Sequence, residues 1–364
     1  MSFHTRCVLE TKRYSGRLRR PHFKAVHFNS LYYKYKSIPF RWCRVEWLSL
    51  IEECLSEDIK ICGDGFSGSG IISLFLKDKG MEVYANDRVE FCKVVGDALL
   101  RTSKEFWGLM GRLMRVPPGE GWFSDRYRQF FREEDLKRIQ GLGDWIHSEL
   151  NGLEKSQALT VLMMCSSKVG RMDHGDWTFS LKKNVREWRW ETFPWSENGW
   201  GWASCGDVLD FVRNGKFDLL VLDPPYCRLN SLRFGHMFET MVRWDDMEGY
   251  RSGGVRVDLD LEGDWGSRFY RKRLHAGALE EVIAEARCKY LMLLYPITGY
   301  LTFDEIRDML RRNGFEVLCE KERWHKRKIG GADGRGGAKL GLKKKNTRFQ
   351  VKNLPDKLFF CRKK

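Results

Sequence analysis

The sequence lacks most of what marks a secreted, disulfide-stapled or membrane-spanning protein. Its cysteines number eleven in 364 residues, and no two fall at the short spacing of a zinc-ligand pair. A chain this long does not need disulfide staples, so the expectation is reduced thiols, mostly buried, in a cytoplasmic protein. The eight histidines form no His-Glu-x-x-His motif and no cluster with cysteine, which leaves a metal site without support. No run reaches the ~18 consecutive apolar residues of a membrane helix. The N-terminus mixes Arg, Lys and Glu with no apolar core of a secretion signal. There is no internal repeat.

What is present is charge and aromatic surface. Lys and Arg total 64 against 49 Asp and Glu, a net charge of +15, and aromatics make up 13% of the chain. A surplus of that size favours a polyanionic partner, because each neutralised phosphate releases condensed counterions. The apolar content, 42%, suffices for one large domain with an elaboration, or for two modest ones.

Along the chain, residues 1–29 read as a basic arm. Phe40 to Leu55 carries apolar residues at helical spacing. Ile59-Lys60-Ile61-Cys62 reads as a short strand that runs into a glycine-rich turn. Ile71 to Lys79 follows as a helix, then Met81 to Ala85 as a second strand ending at Asn86-Asp87. Strand, glycine turn, helix, strand and acid together are a βαβ unit, and the expected class is α/β. Residues 101–202 are rich in Trp, Phe and Arg and weakly periodic. Order returns with a helix at Val208 to Val212 and the continuous apolar run Phe217 to Leu222, typical of a strand buried on both faces. Gly277 to Ala286 reads as helix, Lys289 to Tyr295 as a buried strand, and Phe303 to Arg312 as a helix stopped at Asn313-Gly314. Phe315 to Leu318 and Leu358 to Phe360 read as closing strands. Between them, residues 321–348 hold eleven basic and two acidic residues and six glycines. They read as a mobile basic loop that could track phosphates or simply be solvated.

Two stretches carry chemistry. In Asp64-Gly65-Phe66-Ser67-Gly68-Ser69-Gly70, glycines at a strand-to-helix turn let a ligand approach the backbone and aim helix N–H groups at it. No Lys-Ser/Thr follows the glycines, which argues against a phosphate-clamping loop. Asp87 stands where a carboxylate can accept both ribose hydroxyls of an adenosine-containing cofactor, or simply cap a helix. The stronger signal is Asp223-Pro224-Pro225-Tyr226. The prolines fix φ and withhold two N–H groups, so a rigid segment presents carbonyls rather than donors. Asp223 and the Pro224 carbonyl then form two acceptors aimed at one spot, which suits the two N–H donors of a nucleobase amino group. Tyr226 supplies a flat face for a base.

With these motifs in this order the chain resembles the Dam-type family of DNA adenine-N6 methyltransferases. The likeness also takes in Tyr32-Tyr33-Lys34-Tyr35-Lys36, Gly206-Asp207, and Tyr290 to Tyr295 with the turn Gly299 to Thr302; it spans about residues 30 to 320. It implies a Rossmann-like, S-adenosylmethionine-dependent methyltransferase fold. The catalytic domain would comprise 30–100 and 203–364, interrupted by a target-recognition insert at 101–202. By the same resemblance, Asp64, Phe66, Gly68 and Gly70 would contact the cofactor, Asp87 would hold its ribose, and Asp207 would lie near its adenine. Lys36, or Lys34, would reach the methionine carboxylate. Asp223, Pro224 and Tyr226 would be catalytic, acting without a metal on an adenine flipped out of double-stranded DNA. The strand at 290–295 ends in Leu-Leu-Tyr-Pro where the family often has a Ser-Tyr-Asn-like sequence, and Val208 stands where an aromatic is common. Basic and aromatic residues of the insert, such as Arg112, Arg126, Lys182, Lys183, Arg186, Phe130 and Trp188, suit phosphate contact and base readout. The stretch Asn230 to Trp244 is a candidate lid. Two rival readings are an RNA base-amino methyltransferase, and an inactive DNA-binding subunit that keeps the fold.

Overall fold

In the computed structural model the described residues are 6–8, 24–26, 35, 44–170, 172–173, 176–177, 187–226, 231–246, 250–251, 255–256, 267–329 and 350–364. Seven strands form one sheet: β1 (Ile61–Asp64), β2 (Glu82–Asp87), β3 (Trp200–Cys205), β4 (Phe217–Leu222), β5 (Cys288–Pro296), β6 (Phe315–Ile329) and β7 (Gln350–Lys363). Their order is β6-β7-β5-β4-β1-β2-β3. β4 runs parallel to β1 and β5, and β2 parallel to β3, while β7 is antiparallel to both of its neighbours. A mostly parallel sheet with helices in its connections is the expected Rossmann-like architecture. The chain divides into two compact units. One comprises Met1–Leu48, Ser67–Gly206 and Ser231–Gly263; the other comprises Ser49–Phe66, Asp207–Asn230 and Asp264–Lys364.

In the second unit β4 is the spine. Leu219, Leu220, Val221 and Leu222 are fully buried, and the register Cys62↔Leu219, Gly63↔Leu220, Asp64↔Val221 ties β4 to β1. Asp218 accepts hydrogen bonds from the Lys60 and Ile61 amides at 2.8 Å each, which pins the start of β1. Of the unit's helices α9 (Lys272–Glu285) and α10 (Phe303–Arg312), α10 begins with a reciprocal capping box between Thr302 and Glu305, satisfying two otherwise orphaned amide groups. It ends at Gly314, whose φ of 77° reverses the chain into β6.

The first unit holds the helix α1 (Ile71–Asp78) and α2 (Glu90–Arg101) around β2 and β3. It also holds a helical elaboration: α3 (Phe106–Leu113), α4 (Trp122–Arg126), α5 (Glu133–Glu149) and α6 (Gly152–Val169). The weak periodicity of 101–202 conceals these helices for a physical reason. α6 is buried around most of its circumference, from Ser156 to Ser166 without a break, so it carries no apolar stripe to detect. In α5, Gly141 and Gly143 look like helix breakers. A Cβ on Gly141 would lie 2.1 Å from the Pro117 carbonyl, and one on Gly143 2.1 Å from the Trp244 ring, so close packing demands both.

Three other boundaries differ from expectation. Phe40 to Leu55 contains only a 3-10 turn, Val45–Trp47, and the helix Leu48–Glu52, with 40–43 outside the described residues. β3 begins at Trp200, within the range assigned to the insert. Lys321 to Ile329, expected at the start of a basic loop, continue β6 in pairing with β7. A charge run reads as loop because it cannot build a core, yet a strand near a sheet edge carries charges well. Residues 330–348 of that expected loop lie outside the described residues, as does most of the 1–29 arm. The described cysteines are mostly buried, Cys205 and Cys319 excepted. Among the described residues no helix is long and apolar enough to cross a membrane, and no metal-holding cluster occurs.

Candidate active site

The residues expected at the site fall into two groups, one in each unit. In the first unit the glycine loop leads into α1. Gly70 adopts φ 71°, and a Cβ there would lie 2.8 Å from Leu99 Cδ1, so conformation and packing both require glycine. The Gly68 amide donates to one oxygen of Asp87 at 2.9 Å, and the Val89 amide donates to the other at 3.0 Å. Asp87 ends β2. Burial raises its carboxyl pKa from the ordinary range, opposed by these backbone amides. Besides these two amides the Arg88 amide also bears on the carboxylate, and of its roughly four acceptor positions at least one is left for a ribose. The donor set therefore fits an adenosine-containing cofactor.

The second unit holds the start of the loop and the proline box. Asp64 is buried at the end of β1, and the Gly65 amide donates to the Val221 carbonyl at 3.0 Å. Asp64 and Asp223 thus stand at the carboxyl ends of neighbouring parallel strands. Asp223 is half-buried, Pro224 buried and Pro225 half-buried. Tyr226 is buried rather than an open platform, its ring edge-on to Tyr295 at 6.3 Å. Phe66, half-buried, packs edge-to-face with Phe269 at 5.1 Å.

A buried hydrogen-bond chain that the sequence did not signal runs behind these two rings. The His275 Nδ1 faces the Phe269 carbonyl at 2.9 Å, and its Nε2 faces the Tyr295 hydroxyl at 2.9 Å. The carbonyl can only accept, so Nδ1 carries the proton and Nε2 accepts from Tyr295. The same hydroxyl accepts the Leu301 amide at 3.1 Å. Isolated residues 20 positions apart form no motif, and neither His275 nor Tyr295 stands out without coordinates.

Asp207 is exposed and caps helix α7 (Val208–Asn214), accepting the Leu209 amide at 2.9 Å. Lys34 and Lys36 lie outside the described residues, as do Lys182, Lys183 and Arg186 of the insert. Several insert residues expected to face a partner are engaged internally. Arg112 pairs with Glu154 and Arg126 with Asp246, while Phe130 is fully buried. The candidate lid contains helix α8 (Ser231–Arg243), whose Glu239 is buried, accepting the Phe91 amide at 3.1 Å and pairing with Arg243.

No family model matches the chain. It is 24% identical over 308 residues to Type II methyltransferase M.NlaIII of Neisseria lactamica, covering 77% of this chain and 87% of that protein. It is similar at 24% over 306 residues to Type II methyltransferase M2.HphI of Haemophilus parahaemolyticus, covering 75% and 85%. Over about three quarters of its length the chain is similar to Type II methyltransferases. A third relative, M.FokI of Planomicrobium okeanokoites, is 23% identical over 295 residues, covering 73% of this chain and 45% of that protein. Among solved structures, a SAM-dependent methyltransferase from Methanosarcina mazei covers 86% of this chain at 10% identity with a TM-score of 0.35.

Proposed function

We propose that the chain is a DNA methyltransferase that transfers a methyl group from S-adenosylmethionine to the N6 amino group of adenine. The observation that carries this reading is Asp223 and its two prolines at the tip of β4, beside the strand β1 that opens into the glycine loop. The kinship with Type II methyltransferases supports DNA as the substrate.

S-adenosylmethionine, when bound, supplies an electrophilic sulfonium methyl group. Asp87 would hold its ribose, the backbone of Gly68 and Gly70 would admit it closely, and Phe66 would pack against it. Lys36 or Lys34 would pair with its carboxylate, and Asp64 and Asp207 would hold the remaining polar edges. The adenine leaves the helix stack to be methylated, at a cost of a few kcal/mol. Its N6 is a weak nucleophile because the lone pair is delocalised into the ring. Two hydrogen bonds, to the Asp223 carboxylate and the Pro224 carbonyl, favour a more tetrahedral nitrogen and free that lone pair. The same carboxylate would stabilise the positive charge that develops on N6 as the N–C bond forms and the methyl–sulfur bond breaks to leave S-adenosylhomocysteine, after which N6 would give up one proton to water. Tyr226, buried against Tyr295, holds the box in position. The 101–202 insert, with its helices α3 to α6, selects the target, and 30–100 with 203–364 carries out the chemistry.

The test is incubation with radiolabelled S-adenosylmethionine and either duplex DNA or RNA, followed by nucleoside analysis. N6-methyladenine in DNA is the expected product. Label confined to RNA, or to cytosine, overturns the reading.

A further inference from the structure

Beyond its pairing with β5, the β6–β7 hairpin continues as a two-stranded ribbon. β7 pairs with β5 from Asp356 to Arg362, with a last bond from the Ile297 amide to the Pro355 carbonyl. Pro355 has no N–H to offer a third strand, and from there outward, among the described residues, only β6 pairs with β7, from His325↔Leu354 to Ile329↔Gln350.

The direction of this ribbon is fixed by register. Leu222, the last residue of β4, stands level with Leu293 of β5, Phe359 of β7 and Glu320 of β6. β6 runs in the same direction as β4, so the ribbon leaves the sheet at the edge that carries Asp223. Nine further residues of β6, Lys321 to Ile329, extend roughly 30 Å past that level at the rise of a strand. β7 lies two strand spacings from β4, a lateral offset of roughly 10 Å.

Charge changes along the ribbon. At its root the cations are neutralised: Glu320 pairs with Arg307 and Lys357, Glu322 with Lys357, and Lys321 with Glu53. Trp324 marks the transition, 57% exposed. Past it, the segments 325–329 and 350–354 contain Lys326, Arg327, Lys328 and Lys352 and no acidic residue. A two-stranded ribbon fits the major groove of duplex DNA, about 12 Å wide and 8.5 Å deep, and strands serve as groove readers in other architectures.

We infer that the outer β6–β7 ribbon is a DNA-binding element that lies in the major groove of the duplex flanking the target base. The inference rests on DNA being the substrate and adds a contact surface outside the 101–202 insert. The basic composition of both strands suits the phosphates that line the groove, and Trp324 offers an apolar surface where the ribbon leaves the sheet.

The experiment compares the full chain with the combined variant Lys326→Ala, Arg327→Ala, Lys328→Ala, Lys352→Ala. Binding to a fluorescent duplex is followed by anisotropy across a salt series, with S-adenosylhomocysteine affinity reporting that the protein is folded. The expected result is a slope of log affinity against log salt shallower by about 0.9 for each phosphate that is no longer neutralised. The Michaelis constant for DNA rises at least tenfold, and protection of guanine N7 from dimethyl sulfate beside the target disappears. If the combined variant does not fold, the single variants Lys326→Ala and Lys352→Ala, one on each strand, each reduce the slope by about one such unit. An unchanged salt slope, Michaelis constant and N7 protection overturn the inference. That outcome is distinct from failure of the parent reading, in which the wild-type chain itself transfers no label to DNA.

Discussion

Tyr295→Phe isolates one oxygen atom at a junction between the cofactor loop and the proline box. In the wild type this hydroxyl donates to His275 Nε2 at 2.9 Å and accepts the Leu301 amide at 3.1 Å. Tyr295 and His275 are 1% and 0% exposed, so water cannot replace the missing partner. His275 cannot compensate by changing tautomer, because its Nδ1–H is committed to the Phe269 carbonyl. The substitution leaves the ring in place and strands two buried polar groups, each at about 1–3 kcal/mol. The predicted destabilisation is therefore about 2–6 kcal/mol, a large part of the 5–15 kcal/mol typical of a folded protein. Urea unfolding followed by tryptophan fluorescence would read it as a lower midpoint at constant slope. Turnover should fall as well, because Tyr226 packs on Tyr295 and Phe66 on the Phe269 whose carbonyl this network holds. A midpoint within experimental error of wild type would refute the assigned tautomer and the reasoning from buried partners.

Other substitutions test the remaining assignments. Asp223→Ala should lower kcat at least about 100-fold, the scale of removing one preorganised electrostatic partner, while S-adenosylhomocysteine binding measured by calorimetry persists; unchanged turnover would remove Asp223 from the reaction. Asp87→Ala should weaken S-adenosylhomocysteine binding by about 100-fold, since hydrogen bonding from the ribose to a charged acceptor disappears, and equal affinity would reject the ribose assignment. His236 is fully buried, neither ring nitrogen has a hydrogen-bond partner among the described residues, and burial holds its pKa down at about 4 against an ordinary 6.5. The unfolded chain therefore binds a proton that the folded one refuses, so stability is full above pH 6.5 and declines as pH falls towards 4, by about 3 kcal/mol. Denaturation midpoints across that range should show the decline in wild type and a smaller one in His236→Leu; identical pH profiles would contradict it.

What the sequence revealed and what it hid follow from how local each signal is. β4, α10 and the glycine loop are written in contiguous residues: an unbroken apolar run, a Thr-x-x-Glu box, glycines at a turn. The Asp223 box is likewise a string of four neighbours whose backbone constraints do not depend on the rest of the chain. α5 and α6 escaped because burial on most sides erases the apolar stripe that betrays a surface helix, and because Gly141 and Gly143 serve packing partners distant in sequence. The outer part of β6 was masked by its charge. His275, Tyr295 and Glu239 act through pairings with remote groups, and single-residue spacing carries no trace of such pairings. Arg126 and Phe130 show the converse. Their composition suggested an outward role, and the structure gives one to Asp246 and buries the other.

The distribution of charge in the second unit joins these points. A net +15 could be spread evenly, in which case it would describe solubility and little else. Instead the basic residues at the root of β6 and β7 are matched by Glu53, Glu320 and Glu322, so these two strands are electrostatically quiet where they pack. Carboxylates cease where the third strand ends, and the ribbon beyond carries only cations among its charged residues. A sheet gains nothing in stability from that change, since like charges on paired strands repel. A polyanion beside the edge that bears Asp223 converts the same repulsion into binding, which accounts for both where the charge begins and which way the ribbon points.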